Sequence, residues 1–343
     1  MPTVRVVIVE YDGAEVLPKC LASLASTVPP ETRITVIDNA SGVEAETLIP
    51  SELVGKIEIL RLDANVGYAG AIHRAWSIGD EPFLVVANND IEFTSGWLDA
   101  LVSTAEESGA YAISAVIEHE NESDLEKNTN ASLNPLLYLI PGIFKDRTKA
   151  VYPSGACFLL RRDGSLPIVP IDPDYFMYYE DVYIGFLLRA LGKAVDQCPR
   201  SRVKHIGSHA VKRADTSRMA FHRERNRLVT QILFFDFQTL LGLAPLILAD
   251  SILKIPQCLV IRKPVGPTIR AHFRLPFNIG SILKKRAALR RLPDFKPRRI
   301  LPWLTGKVSP PDVPGAGFWN FLSAGWCRIV GIPVGREARD AQP

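Results

Sequence analysis

The sequence predicts an α/β domain built on a mostly parallel sheet with helices on both faces, followed by a helical, basic C-terminal region. Two observations predict the sheet. Short β-branched runs alternate with helix-period segments through the first 120 residues, and polar clusters stand at the carboxyl ends of those runs, where open α/β sheets bind ligands. A third observation predicts the appendage: after residue 230 the chain turns strongly apolar and then strongly basic.

Taken in order, Val4–Val9 reads as the first strand and Val16–Leu24 as an amphipathic helix. Ile34–Ile37, Ile57–Leu60 and Phe83–Ala87 read as strands two to four, with helices over Ala69–Ile78 and Gly96–Glu106 and a further strand over Ala112–Ile117. Residues 118–149 break the rhythm and read as an irregular insertion or flap. Tyr152–Arg161 resumes as strand, and a Pro-rich loop over Asp163–Asp174 leads to Tyr-Phe-Met-Tyr-Tyr-Glu-Asp at 175–181, where the amphipathic stretch Asp181–Lys193 begins. A short strand over Arg202–His205 and a helix over Arg218–Phe235 follow. These readings divide the chain into an α/β domain over 1–230, with one half near 1–117 and another near 150–230, and an apolar then basic helical region over 231–343.

With 343 residues, 47% hydrophobic and 22% charged, the chain has an ordinary globular composition, which excludes wholesale disorder. The five cysteines are scattered without a C-x-x-C pair, so neither a disulfide framework nor a zinc ribbon is expected, and a reducing compartment is. Residues Met1–Val9 read as strand rather than as a leader, and a cytoplasmic protein is expected. The net charge of +3 is unevenly spread: Arg262 to Arg299 holds twelve Lys or Arg against one acid, Asp294. Before it, the charge-free run Phe237–Ala249 has thirteen residues, short of the roughly 20 a spanning helix needs, and Pro245 and Pro256 are expected to break it. A helix lying on the cytoplasmic membrane surface beside a polybasic segment fits this pattern, with Trp319 and Trp326 as interfacial contacts. The apolar stretch favours lipid over nucleic acid as the partner.

Acidic groups at a strand end (Asp90) and at a helix start (Asp181) suit a metal-bound leaving group on one side of a cleft and a proton acceptor on the other. Each has a plainer reading. Asp181 is also a good N-cap, Asp-Asn-Ala-Ser at 38–41 is good turn chemistry, and a histidine at a strand end is often only structural. The loop before Ala69 contains Gly67, which permits close backbone approach, and the helix start offers N–H groups to a diphosphate. A dinucleotide-dependent oxidoreductase would need G-x-G-x-x-G after the first strand, which is absent, and a nucleotidyltransferase a basic Gly-rich loop where Glu10–Glu15 is acidic.

Seven segments occur in one order: Val6–Asp12, Val36–Ser41, Asn65–Gly70, Val85–Asp90, Ser154–Ala156, Phe176–Asp181 and Val203–His205, with Arg225–Leu228 after them. Together they resemble family 2 glycosyltransferases of the GT-A fold, in particular the rhamnosyltransferase-like branch that builds cell-surface polysaccharides. The resemblance implies an inverting transfer from a nucleotide-diphosphate sugar, dTDP-rhamnose or a UDP-sugar, to a lipid-linked or polysaccharide acceptor. It implies a general base at Asp181 supported by Glu180, and a divalent metal, Mn2+ or Mg2+, at Asp90 with Glu92 and His205. It further implies that Val9, Tyr11, Asp38, Asn65, Gly67, Tyr68, Asn88, Asn89, Gly155 and Ala156 line the substrate site, with Asp38 beside the nucleotide base. Ile72 and His73 depart from the family, which often has Asn there, and Asn88 departs from an all-acidic metal motif. A membrane-bound interaction protein that has lost activity is the competing expectation.

Overall fold

A computed structural model describes residues 2–119, 131–141, 146, 148–206, 216–260, 265–309 and 316–335. The chain forms two compact units. The first comprises residues 1–129, 147–188 and 193–214, and the second comprises 130–146, 189–192 and 215–343. The boundary expected at 230 is therefore displaced, because residues 216–234 form one continuous helix that cannot be divided without exposing its packed face.

The first unit is organised by an eight-stranded sheet of order β3-β2-β1-β4-β9-β6-β10-β5. Its strands are β1 (Val4–Glu10), β2 (Arg33–Asp38), β3 (Ile57–Arg61), β4 (Phe83–Asn88), β5 (Ile91–Phe93), β6 (Ala112–His119), β9 (Cys157–Arg161) and β10 (Val195–His205). β3, β2, β1 and β4 run parallel, as does the β6–β10 pair, whereas β9 is antiparallel to both its neighbours and β5 is antiparallel to β10. The expected strand over 152–161 is confined to 157–161, because residues 152–156 form a loop at the site. β10 is longer than expected, running from Val195 through an irregularity between Cys198 and Arg202.

Every residue of β1 is buried, which is what a strand covered on both faces requires. On one face Val6 and Ile8 pack with helices α1 (Leu17–Thr27) and α3 (Trp97–Ser108). On the other, Val7 and Val9 pack with α2 (Gly67–Trp76) and α4 (Glu180–Ala190), through Ala71, Ile72, Ala75, Ile184 and Leu188. The starts of the strands are tied by a buried ion cluster: Arg5 donates to Glu81 and Thr35, and Arg162 also reaches Glu81 at 3.0 Å. Charges so paired and hydrogen-bonded are tolerated in a core, and they leave the opposite, carboxyl ends of β1, β2 and β4 to the polar loops.

The second unit holds the hairpin β7 (Ser132–Leu133) and β8 (Leu139–Ile140) and helices α5 (Thr216–Phe234), α6 (Phe237–Val260), α7 (Gly266–Arg290) and α8 (Ala316–Ile329). Part of the expected flap thus has regular structure, while 120–130 lie outside the described residues. The prolines expected to interrupt α6 do not: the helix runs through Pro245 and Pro256, giving up ladder hydrogen bonds without ending. The charges that punctuate this apolar stretch are paired, Asp250 and Lys254 inward and Asp236 at the surface. Asp250 pairs with Arg227 at 2.9 Å, Lys254 pairs with Glu224, and Asp236 pairs with Arg298 at 2.8 Å. His272 joins Glu224 at 3.0 Å, and the Tyr138 hydroxyl donates to Asp250.

Candidate active site

Three loops at the strand ends are stitched together before any ligand is considered. The Asn39 amide donates to the Glu10 carbonyl at 2.9 Å, and the Glu10 carboxylate accepts from Gly13 N–H and Asn89 Nδ2, both at 2.6 Å. A Cβ at Gly13 would collide with the Asn89 amide, so the close approach needs glycine. Burial pushes the Glu10 carboxyl up, against the two donors that favour its ionised form. Asn39 in turn donates Nδ2 to Asn65 Oδ1 at 3.1 Å and accepts from Val66 N–H, while Asn65 Oδ1 also accepts from Gly67 N–H at 2.8 Å. Glu10 and Asn39 were not among the expected site residues. Their signal was present, each standing at a strand terminus among polar neighbours, but nothing in sequence shows that their side chains bridge loops.

These bonds show how several expected site residues are held. Asp38 is 1% exposed, and its carboxylate accepts from Ser41 N–H, Ala45 N–H and Arg61, closing the turn of its plainer reading. Val9 is in the core, packed from a strand buried on both sides, and has no side chain to offer a ligand. Asn89 has its amide committed to Glu10. The start of α2 is not free for a diphosphate either: Ala69 N–H donates to the Phe176 carbonyl at 3.0 Å. Gly67, at φ 76°, is required because that carbonyl occupies the space a Cβ would fill. Its close backbone approach is to Phe176 rather than to a ligand. Tyr11 is exposed at the end of β1, and Asn65, Tyr68, Asn88, Gly155 and Ala156 are half-buried around the same loops.

The acids meet around residues 154–156. Asn88 N–H donates to the Ala156 carbonyl at 3.0 Å, fastening the end of β4 to this loop. The Tyr68 hydroxyl donates to the Gly155 carbonyl at 2.7 Å, and the Gly155 amide hydrogen-bonds to the Asp181 carboxylate. The Tyr68 hydroxyl is held well above the ordinary phenol range, first by burial and then by the negative charges of Glu180, Asp181 and Asp90. The 154–156 loop thus ties together Tyr68 of α2, the end of β4 and Asp181 of α4. Burial also raises both Glu180 and Asp181, and for Glu180 the neighbouring charge adds to it. The loop before the pair is held in an unusual backbone: Phe176, Tyr178 and Tyr179 have φ of 62°, 65° and 67°, a region that costs an L-residue on the order of 1–3 kcal/mol.

Asp90 follows β4 in a tight turn, and its carbonyl accepts from Ile206 N–H at 3.0 Å. Its buried Oδ1 makes no hydrogen bond among the described residues and lies 3.3 Å from His205 Nε2. An orphaned carboxylate oxygen beside an imidazole nitrogen fits two ligands of a divalent cation whose remaining ligands come from a diphosphate. Glu92 does not join them. Asp90 precedes β5, so the strand period does not relate the two residues. Within β5 only Ile91 and Phe93 are buried, and Glu92 pairs across the ladder with Lys204 at 3.5 Å. Among the described residues no group of three His, Cys, Asp or Glu is assembled for a metal.

Comparison with known proteins agrees with this geometry. Residues 5–165 match the model of glycosyl transferase family 2. The chain is 27% identical over 249 residues to an N-acetylglucosaminyl-diphospho-decaprenol L-rhamnosyltransferase of Mycobacterium tuberculosis, covering 64% of this chain and 81% of the relative. Among solved structures it resembles S. aureus TarS 1–349 in complex with UDP-GlcNAc (TM-score 0.52, 13% identity, 99% of this chain and 92% of that one). It also resembles the mannosyltransferase PcManGT of Pyrobaculum calidifontis with GDP-Man and Mn2+ (TM-score 0.50, 14% identity, 84% of this chain and 74% of that one). The α/β unit carrying Asp90 and Asp181 is thus of the GT-A fold, and its residues 5–165 match glycosyl transferase family 2, the family to which the sequence resemblance pointed.

Proposed function

We propose that the protein is an inverting glycosyltransferase that moves a sugar from a nucleotide-diphosphate donor to a lipid-linked acceptor in surface-glycan synthesis. Asp181 removes the proton from the acceptor hydroxyl as that oxygen bonds to the anomeric carbon. The bond from that carbon to the diphosphate breaks on the opposite face, and its electron pair leaves with the nucleoside diphosphate. One displacement inverts the anomeric centre. A base raised by burial above the ordinary carboxylate range is stronger than a surface aspartate. Asp90 and His205 would hold a divalent cation, which neutralises charge on the leaving diphosphate when bound. The single observation that carries this reading is that the 154–156 loop holds both the Asp181 carboxylate, through the Gly155 amide, and the end of β4 that leads to Asp90, through the Ala156 carbonyl.

The name of the mycobacterial relative supports rhamnose as the sugar and a diphosphate-linked polyprenol as the acceptor. A location on the inner membrane face is supported by the apolar residues that the second unit exposes, including Phe237, Leu241 and Leu248 on α6 and Phe318, Trp319 and Phe321 on α8. The α6 window Phe237–Lys254 has a mean hydropathy of 1.3 with 11% buried, long and apolar enough to cross a bilayer by length and composition, and the same facts suit a helix lying in the interface. The test is nucleoside diphosphate release from a panel of dTDP- and UDP-sugars with Mn2+ or Mg2+ and a polyprenyl-diphosphate sugar. Acceptor-dependent release with dTDP-rhamnose is expected. No transfer from any donor under conditions where the folded protein is protected by nucleotide would favour a binding protein instead.

A further inference from the structure

We propose that a groove of about 500 Å3 between α5 and α7 holds the diphosphate head of a lipid carrier. The inference rests on the lipid-linked acceptor of the proposed function and assigns its charged head to residues of the second unit. The groove is lined by Ser217, Arg218, Phe221 and His222 from the first turns of α5, and by Arg270 and Arg274 from α7.

Among the described residues no carboxylate lines this groove, in contrast to the paired charges elsewhere in the same unit. Among the described residues neither Arg270 nor Arg274 has an acidic partner. Like charges one helical turn apart destabilise a helix slightly, so 270 and 274 together gain nothing from folding alone. Both guanidinium groups instead lie over the Phe221 ring, 5.2 and 5.8 Å from its centre, which holds them toward the groove without neutralising them. α7 also begins here, at Gly266-Pro267, with no acid in its first turn, so its unpaired N–H groups add positive potential. The local field is recorded by His222, whose pKa falls to about 4 through burial and then through Arg218, Arg225 and Arg270. Three guanidinium groups and a helix start are the donor set that a phosphate or diphosphate takes.

The groove continues into an apolar stripe. On α7 the residues Ile269, Phe273 and Phe277 recur every fourth position on the surface, and Phe273 and Phe277 are 71% and 87% exposed. Arg270 and Arg274 precede them by three residues each, so the charged and apolar groups share one side of the helix. A ligand that satisfies both halves is an amphiphile, with its anionic head among the arginines and its chain along the phenylalanines.

Titration of the full-length chain with farnesyl diphosphate, inorganic pyrophosphate and farnesol tests this. Farnesyl diphosphate is expected to bind more tightly than either fragment. Arg270→Gln with Arg274→Gln should weaken it by about tenfold or more, as loss of charge-assisted bonds does, and the corresponding Lys pair should restore part of that loss. Phe273→Ser with Phe277→Ser should reduce its affinity to that of pyrophosphate. Both Arg positions are exposed, and thermal melts identify any variant that fails to fold, in which case Arg274→Gln alone is read. Equal binding of farnesyl diphosphate by wild type and the Gln pair overturns the proposal, as does no binding at all. Loss of phosphatidylglycerol-vesicle binding in the Gln pair with farnesyl diphosphate affinity unchanged also overturns it, giving the groove to bulk lipid headgroups. Thermal protection of the wild type by a nucleotide sugar tests the catalytic reading separately.

Discussion

Asp181 and Glu180 stand side by side in the first turn of α4, where a helix start favours the ionised form but burial raises both. Replacing Asp181 by Asn removes the proposed base and keeps the shape, so kcat is expected to fall by about 10²–10⁴-fold while nucleotide-sugar protection against heat persists. Because the base is raised, the acid limb of kcat should lie above the ordinary carboxylate value of about 4. The same shifts bear on stability. A carboxyl raised in the folded state contributes stability that is complete below its unfolded pKa and is lost as pH rises through the folded value. Glu180→Gln cannot ionise and escapes that loss, so its Tm relative to wild type should climb between about pH 5 and about pH 8. A constant Tm difference across that range would show that the Glu180 pKa is not raised in the folded state. At this scale the sequence yielded the identities of the acids but not the division of labour among their neighbours. Asp38 and Glu10 look alike in sequence, each an acid ending a strand. Only coordinates show that both serve the loops themselves, because whether a carboxylate meets a backbone amide or a ligand depends on loops distant in the chain.

Elements were legible where one physical signal decided them. β1 to β4 and α1 to α3 follow from β-branched runs, helical spacing and glycine punctuation, such as the left-handed Gly96 and Gly109 flanking α3. The antiparallel insertion of β9 between β4 and β6 was not legible, since strand direction is set by partners far away in sequence. Nor was the length of α6, whose prolines are strong local breakers that the surrounding helix overrides. The contact of α2 with the 173–179 loop was likewise invisible, although Gly67 marked the place. That contact makes a prediction: Gly67→Ala puts a methyl group against the Phe176 carbonyl and strains a positive φ. A destabilisation of about 1–3 kcal/mol is expected, read as a lower urea midpoint at unchanged m. Because Phe176 leads directly to Asp181, kcat should fall in the folded fraction as well. A stable variant with normal kcat would mean that this contact does not position the base.

The molecule as a whole divides its labour by composition. The first unit buries its apolar residues on both faces of a sheet, whereas the second pairs Arg227, Glu224, Asp250 and Lys254 inside and exposes Phe237, Phe273, Phe277, Phe318 and Phe321. That inversion is costly for a helical unit surrounded only by water, since contiguous exposed apolar surface favours association. The proposed lipid surface would resolve it, and the twelve cationic residues between Arg262 and Arg299 would add attraction to anionic headgroups of about 1 kcal/mol for each one near the surface. The two contributions are separable by experiment. Co-sedimentation of the full-length chain with phosphatidylcholine vesicles should be weak and should rise when phosphatidylglycerol is included. Added salt should lower the phosphatidylglycerol-dependent part, because screening acts on exposed charge and not on apolar contact. Substituting Phe318, Trp319 and Phe321 of α8 by Ser should lower binding to both vesicle types and leave the salt dependence in place. If those substitutions change nothing while the helices remain folded by circular dichroism, the exposed aromatics of α8 do not meet lipid, and the apolar face must be covered by another protein surface.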